Sequence, residues 1–255
     1  MFLESDEPNP VRVLLETTPG PFLLTVDHAG NQIPRVLENL GLCKTELYRH
    51  IAWDIGIADV AERLSERLNA TAVLQNYSRL VIDCNRQPNL PDAFPTISET
   101  TLIPGNLNLS NLDRQARRKA IFDPYHQTIT EQIHQRKERG LHTIYVALHS
   151  FTPIFKGKLR PMHVAVLYNR TPRFAKHLAE LLRVEEGLTV AENAPYRVSD
   201  ETDYGVPVHA ESRGLDYVLI EIRQDLLTTE TEQDVWAKRL AHLLPTTAMK
   251  LQEDI

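Results

Sequence analysis

The sequence predicts an α/β fold, a mixed and mainly parallel sheet flanked by helices. Three observations lead there. Short β-rich runs alternate with longer amphipathic stretches along the chain. The chain has 255 residues and no internal repeat, low-complexity segment or linker, so residues 1–255 are expected to form one domain. A chain of this length buries about three quarters of the surface that it exposes when unfolded, and needs no disulfide or structural metal to hold it. Hydrophobic residues make up 42% and charged residues 24%, which excludes wholesale disorder.

The elements follow in order. Phe22–Val26 reads as a buried strand that ends at Asp27 and His28. Residues 45–68 read as a helix, with Ile51, Ile55, Ala58, Ala61, Leu64 and Leu68 at three- and four-residue spacings. Residues 71–74 and 80–84 read as strands. Residues 88–105 hold four prolines and one glycine and are expected to form a surface loop, a kind that often covers a site. Residues 110–139 read as a helix capped by Ser110, interrupted at Asp123-Pro124 because proline lacks a donor, and stopped at Gly140. Strands are expected at 143–148, 163–167 and 217–222, and helices at 172–183 and 230–244.

Composition removes several function classes. The formal charge of −6 lacks the basic excess of a nucleic-acid-binding protein. No apolar run approaches the ~18 residues of a spanning helix. The acidic start of the chain lacks a basic and apolar leader, so no secretory signal is expected. Two cysteines, Cys43 and Cys84, make neither a disulfide framework nor a zinc ribbon. A reducing cytoplasm fits these features best.

Reactive side chains gather where strands end: Asp27 with His28, His149 with Ser150, Glu221, and the run Asp83, Cys84, Asn85, Arg86. Open α/β sheets bind ligands in crevices at the carboxyl ends of their strands. Two histidines and a carboxylate from different strand ends are the material of a catalytic metal site with one open position. A strand-end histidine also serves commonly as a cap. Glu221 lies between Ile220 and Ile222 in an apolar strand. Turned inward, it is costly unless paired, protonated or beside a metal; strict alternation turns it to solvent instead. His209 precedes this strand and is a candidate substrate contact. Ser150 lacks the Gly-x-Ser-x-Gly elbow of a nucleophile.

Six segments carry a resemblance: 27–34 (DHAGNQIP), 52–56 (AWDIG), 77–86 (YSRLVIDCNR), 123–126 (DPYH), 148–151 (LHSF) and 220–225 (IEIRQD). In this order and spacing the chain resembles the N-formylglutamate amidohydrolase family, from about residue 21 to 227. It looks, more distantly, like the zinc carboxypeptidases. The resemblance implies a zinc-carboxypeptidase-like fold and one Zn2+ per chain. It implies that His28 and His149 hold the metal, that Asn85 and Arg86 bind a substrate carboxylate, and that Glu221 is the general base. The carboxypeptidase pattern has an acid three residues after its first histidine, where this chain has Asn31. A neutral amide is a poor zinc ligand, so Asp54 is the expected third ligand, with a role in orienting His28 as the alternative.

The implied reaction is hydrolysis of an N-acyl acidic amino acid, such as N-formyl-L-glutamate to formate and glutamate. Such a substrate carries two carboxylates, which favours arginine over lysine in the pocket. Arg86 is expected at the α-carboxylate. Arg79 and Arg223 are candidates for the second carboxylate or the oxyanion, with ion pairs to Asp83 and Asp225 as the structural alternative. Ser150 is expected to orient His149 or the substrate. A carboxypeptidase-like peptide hydrolase, or a binding protein on a decayed hydrolase scaffold, remains the competing expectation.

Overall fold

The computed structural model describes residues 2–16 and 18–253. Seven strands form its main sheet: β1 (Val11–Leu14), β2 (Phe22–Val26), β3 (Thr71–Gln75), β4 (Ile144–Phe151), β5 (Val164–Leu167), β6 (Val190–Glu192) and β7 (Asp216–Arg223). Their spatial order is β1-β3-β2-β4-β7-β5-β6. The central four, β3, β2, β4 and β7, run parallel. β1 joins one edge antiparallel, and β5 joins β7 antiparallel with β6 parallel to it at the other edge. The expected mixed, mainly parallel sheet is therefore present, and its central strands are buried on both faces, as parallel sheets are.

Alternation sorts the strand residues into two core layers. On one face Leu24, Val146, Leu148, Val218, Ile220 and Ile222 pack against α1 (Ile57–Leu68), α4 (Arg173–Arg183) and α5 (Glu230–Glu253). On the other face Val73, Tyr145, Ala147, Tyr217 and Leu219 meet α3 (Asp123–Glu138) and buried loops. α3 is preceded by α2 (Asn111–Arg117), which Ser110 starts with a capping box. The wide turn Arg118–Phe122, a π-helix, joins the two. It absorbs Pro124 without breaking the rod, and Gly140, at φ +66°, follows its end.

Several expected elements differ. The helix expected over 45–68 is a single turn, Lys44–Leu47, followed by tight turns and then α1. Gly56 adopts φ +76°, and a Cβ there would lie 2.6 Å from both Cβ and carbonyl oxygen of Leu227. The backbone of the AWDIG segment also pairs outward: Asp54 N–H donates to His28 O at 3.0 Å, and Ala52 O accepts from Arg79 N–H at 3.2 Å. These bonds replace helical ones. Residues 80–84 form turns rather than a strand. Val81 N–H bonds Ser78 O and Asp83 N–H bonds Ala93 O, and the apolar side chains of Leu80, Val81 and Ile82 fill the second core layer. The last helix runs to Glu253 rather than stopping at 244, through Pro245, because Thr247 and Leu251 remain buried. β1 and β6 were not expected. Within 88–105 the loop carries a small hairpin, Ile97–Ser98 with Thr101–Leu102.

Candidate functional site

The parallel strands present their carboxyl ends on one side, and the site lies there. His28 lies just past the end of β2, after Asp27. His149 lies near the end of β4, the neighbour of β2. Glu221 lies in β7, and the register sets it directly beside His149. It points away from Ile220 and Ile222, into the layer that the loops cover, and it is buried rather than solvent-facing. Asp54 arrives on the turn ahead of α1, fixed by its bond to the backbone of His28.

His28, Asp54 and His149 each offer a ligand atom within 4.8 Å of the others, and all three are buried. Asp54 Oδ2 lies 2.9 Å from His149 Nδ1 and 3.5 Å from His28 Nδ1. Each imidazole is gripped from behind by a different acid. Asp83 Oδ1 lies 2.7 Å from His28 Nε2, and Asp27 Oδ2 lies 3.2 Å from His149 Nε2. Those acids are themselves anchored. Arg79 Nη2 donates to Asp83 at 2.7 Å, and the Tyr125 hydroxyl donates to Asp27 at 2.8 Å. Carboxylates placed behind ring nitrogens in this way orient metal-binding histidines and raise their basicity. His28 Nδ1 is buried and, among the described residues, has no hydrogen-bond partner, which a metal ion in the triad would supply. Two imidazoles and a carboxylate are the donor set of open catalytic metal sites. The residues present therefore fit a divalent ion.

The electrostatics agree. Burial opposes a proton on His149, but the Asp27 and Asp54 carboxylates overcome it and hold its pKa well above the ordinary value. For His28, burial and Arg79 work against the proton, and Asp83 and Asp54 outweigh them, so its pKa also rises. Burial raises the Glu221 carboxyl to about 7; the His149 charge opposes this and the Asp54 charge adds to it. Glu221 Oε2 has no hydrogen-bond partner among the described residues. A carboxyl with a free oxygen and a pKa near neutrality is suited to proton transfer.

Asn85, Arg86, Arg79 and Ser150 line the same cleft. Asn85 spends its Oδ1 on the N–H groups of Tyr204 and Gly205, at 3.1 Å each, and donates from Nδ2 to Asp203. Arg86 donates to the carbonyls of Asn85 and Thr202. Ser150 Oγ donates to Ile55 O, and its backbone N–H donates to Asp54, so it supports the triad rather than facing a base.

Two expected contacts lie elsewhere. Arg223 forks onto Asp225 and the carbonyls of Arg160, Pro161 and Met162, outside the cleft. His209 sits in the turn Val206–Ala210, bonded at 2.8 Å to His126, whose Nε2 donates to Cys84 O. Asn31 donates to Leu47 O and is not in the triad. Sequence reasoning missed the holding roles of Asp27 and Asp83, and it missed Tyr125, Tyr196 and Arg197. Arg197 lines the cleft and, among the described residues, has no carboxylate at ion-pair distance.

The holding acids give an expected outcome. Asp27→Asn and Asp83→Asn each keep a partner for the ring but remove its charge, and each should weaken divalent-metal affinity about 10–100-fold. Competition against a chromophoric chelator measures this. Unchanged affinity in both variants would remove the holding role.

Comparison with known proteins places the chain. The family model described as N-formylglutamate amidohydrolase matches residues 20–228. The N-formylglutamate deformylase of Pseudomonas putida is 24% identical over 239 residues, covering 87% of this chain and 86% of the relative. A crystal structure of a gene product from Agrobacterium tumefaciens is 37% identical, covers 99% of this chain and 100% of its own, and superposes with a TM-score of 0.95. The crystal structure of N-formylglutamate amidohydrolase from Ralstonia eutropha JMP134 shares the fold, at 19% identity and a TM-score of 0.69, covering 97% of this chain and 100% of its own. The chain belongs to the N-formylglutamate amidohydrolase family, whose members are hydrolases of a carbon–nitrogen amide bond.

Proposed function

We propose that this protein is a zinc-dependent amidohydrolase that removes the acyl group from an N-acyl acidic amino acid, N-formyl-L-glutamate being the compound for which the family is named. The observation that carries the reading is the pair of imidazoles. Their outer nitrogens are committed to Asp83 and Asp27, their inner nitrogens face Asp54, and the uncommitted Glu221 stands beside them. Zinc bound by His28, Asp54 and His149 supplies Lewis acidity toward a carbonyl and toward water.

The remaining work falls to the chain. Glu221 accepts a proton from the attacking water and returns it to the departing amine. Arg86, supported by Asn85, takes the α-carboxylate in a planar fork. Arg197 takes the second carboxylate. Arg79 lines the cleft and keeps its charge near the developing oxyanion. A decayed binding scaffold is disfavoured because the histidines, acid and base all converge.

The test is hydrolysis of N-formyl-L-glutamate and its N-acyl analogues by protein loaded with zinc, stripped with chelator, and reloaded. Activity should disappear on stripping and return on reloading. Hydrolysis that survives stripping, or none in the loaded protein, overturns the reading. Arg86→Ala should raise KM for carboxylate substrates about 10–100-fold, the loss of a charge-assisted bidentate contact of roughly 1.5–3 kcal/mol, with kcat little changed. An unchanged KM would clear Arg86 of that role.

A further inference from the structure

The cleft has two halves. One, about 60 Å³, holds the amino-acid-binding candidates Asn85, Arg86 and Arg197 together with Glu221. The other, about 90 Å³, is lined by Ile51, Phe151, Phe155 and Tyr196 and by the polar side chains of His50, Ser98 and Thr152. Asp54, Arg79, Ser150 and Tyr196 line both. The halves meet at Asp54, while His28 and His149 line the first half, so the scissile bond must lie on the triad side of that junction. An N-acyl amino acid is a linear molecule. With its carboxylates among the arginines and its amide at the triad, the substituent on the acyl carbon projects into the second half.

A formyl group has only a hydrogen there and requires no space. A volume of about 90 Å³ corresponds to roughly three water molecules at ≈ 30 Å³ each. Its walls are held in place by contacts that need no ligand. The Arg160 guanidinium lies 4.6 Å from the ring centre of Phe155, 4.9 Å from that of Tyr196 and 5.9 Å from that of Phe151, and it donates to the Tyr196 hydroxyl at 2.9 Å. Arg160 is buried, and among the described residues it has no carboxylate at ion-pair distance. Cation–π attraction to three rings is its compensation, so it fixes all three at once. The hairpin that carries Ser98 is pinned as well, since Arg49 bonds Glu99, Thr101 and Glu46.

We propose that this half is an acyl-chain subsite, and that the protein acts on N-acyl amino acids whose acyl group has two to four carbons. The inference rests on the amidohydrolase reading and deepens it. Short aliphatic chains gain from contact with Phe155 and Tyr196, which keep exposed ring surface, by up to about fourfold per fully buried methylene.

The zinc-loaded protein is assayed with N-formyl-, N-acetyl-, N-propionyl- and N-butyryl-L-glutamate. A formyl carbonyl is intrinsically more electrophilic, so the subsite is read from acetyl upward. kcat/KM should rise about threefold to fourfold per added carbon to butyryl. Ser98→Leu, a change on a surface hairpin, should shift the optimum to a shorter chain. A fall in kcat/KM at each carbon added to formyl, or an optimum unmoved by Ser98→Leu, overturns the subsite and leaves the amidohydrolase reading intact. Preferred cleavage of glutamyl dipeptides over every N-acyl compound overturns it in favour of a peptide substrate. Hydrolysis of none of the four removes the underlying reading, and the subsite with it.

Discussion

Glu221→Gln retains one divalent ion per chain and loses turnover by about 10²–10⁴-fold, the range associated with a positioned general base. The substitution isolates proton transfer because little else depends on this oxygen. Glu221 is outside the group of three residues that could hold the ion, and its Oε2 makes no hydrogen bond to any described residue. Glutamine has nearly the same volume, so the packing of β7 against β4 survives. What disappears is the capacity to accept and return a proton.

The pH profile supplies an independent check. With the carboxyl raised to about 7 by burial, activity that needs its ionised form rises with pH through that region. A cation in the triad stabilises the carboxylate and draws this limb below 7. The variant should lack the limb altogether. Metal content by atomic absorption, together with kcat and KM against pH, decides the matter. Full turnover with the limb intact would assign the base elsewhere.

The central part of this arrangement was legible in the sequence for a definite reason. His28, His149 and Glu221 interrupt or end near-continuous apolar runs, the pattern of strands buried on both faces, so they stand out as polar exceptions, and the family resemblance gave them their expected roles. Asp54 was legible only through its motif. Its own surroundings have helical spacing, and the helix expected over 45–68 gives way because Gly56 presses on Leu227 and the backbone of 52–54 bonds to His28 and Arg79. That is tertiary structure overriding local propensity. The apolar run at 80–84 misled for a related reason, since burial in turns and burial in a strand leave the same composition. The roles of Asp27 and Asp83 were not legible at all. An acid beside a histidine in sequence does not reveal which ring nitrogen it meets, and Asp27 holds His149, 122 residues away, rather than its neighbour His28. Arg223 loses its expected place for the same reason: availability depends on which acids and carbonyls come near, and Asp225 and three carbonyls occupy Arg223.

Asp54→Ala should weaken metal binding by on the order of 10²–10³-fold and abolish turnover at ordinary metal concentrations. A tetrahedral site worth about 10–16 kcal/mol divided over four ligands gives roughly 3 kcal/mol each, or about two decades. The same residue also sets the competition between metal and protons. In the metal-free protein Asp54 lies against both inner nitrogens and helps to raise both histidine pKa values. An ion must displace those protons, so affinity should fall as pH drops, beginning above the ordinary histidine value of 6.5 for His149. Without Asp54, burial is opposed by less negative charge, both pKa values descend, and the slope of log affinity against pH becomes shallower. Chelator competition at pH 6, 7 and 8 measures affinity and slope together. A purely structural role for Asp54 would lower the melting temperature while leaving the slope of the folded protein unchanged. Affinity and slope both equal to those of the parent protein would exclude Asp54 from the metal site.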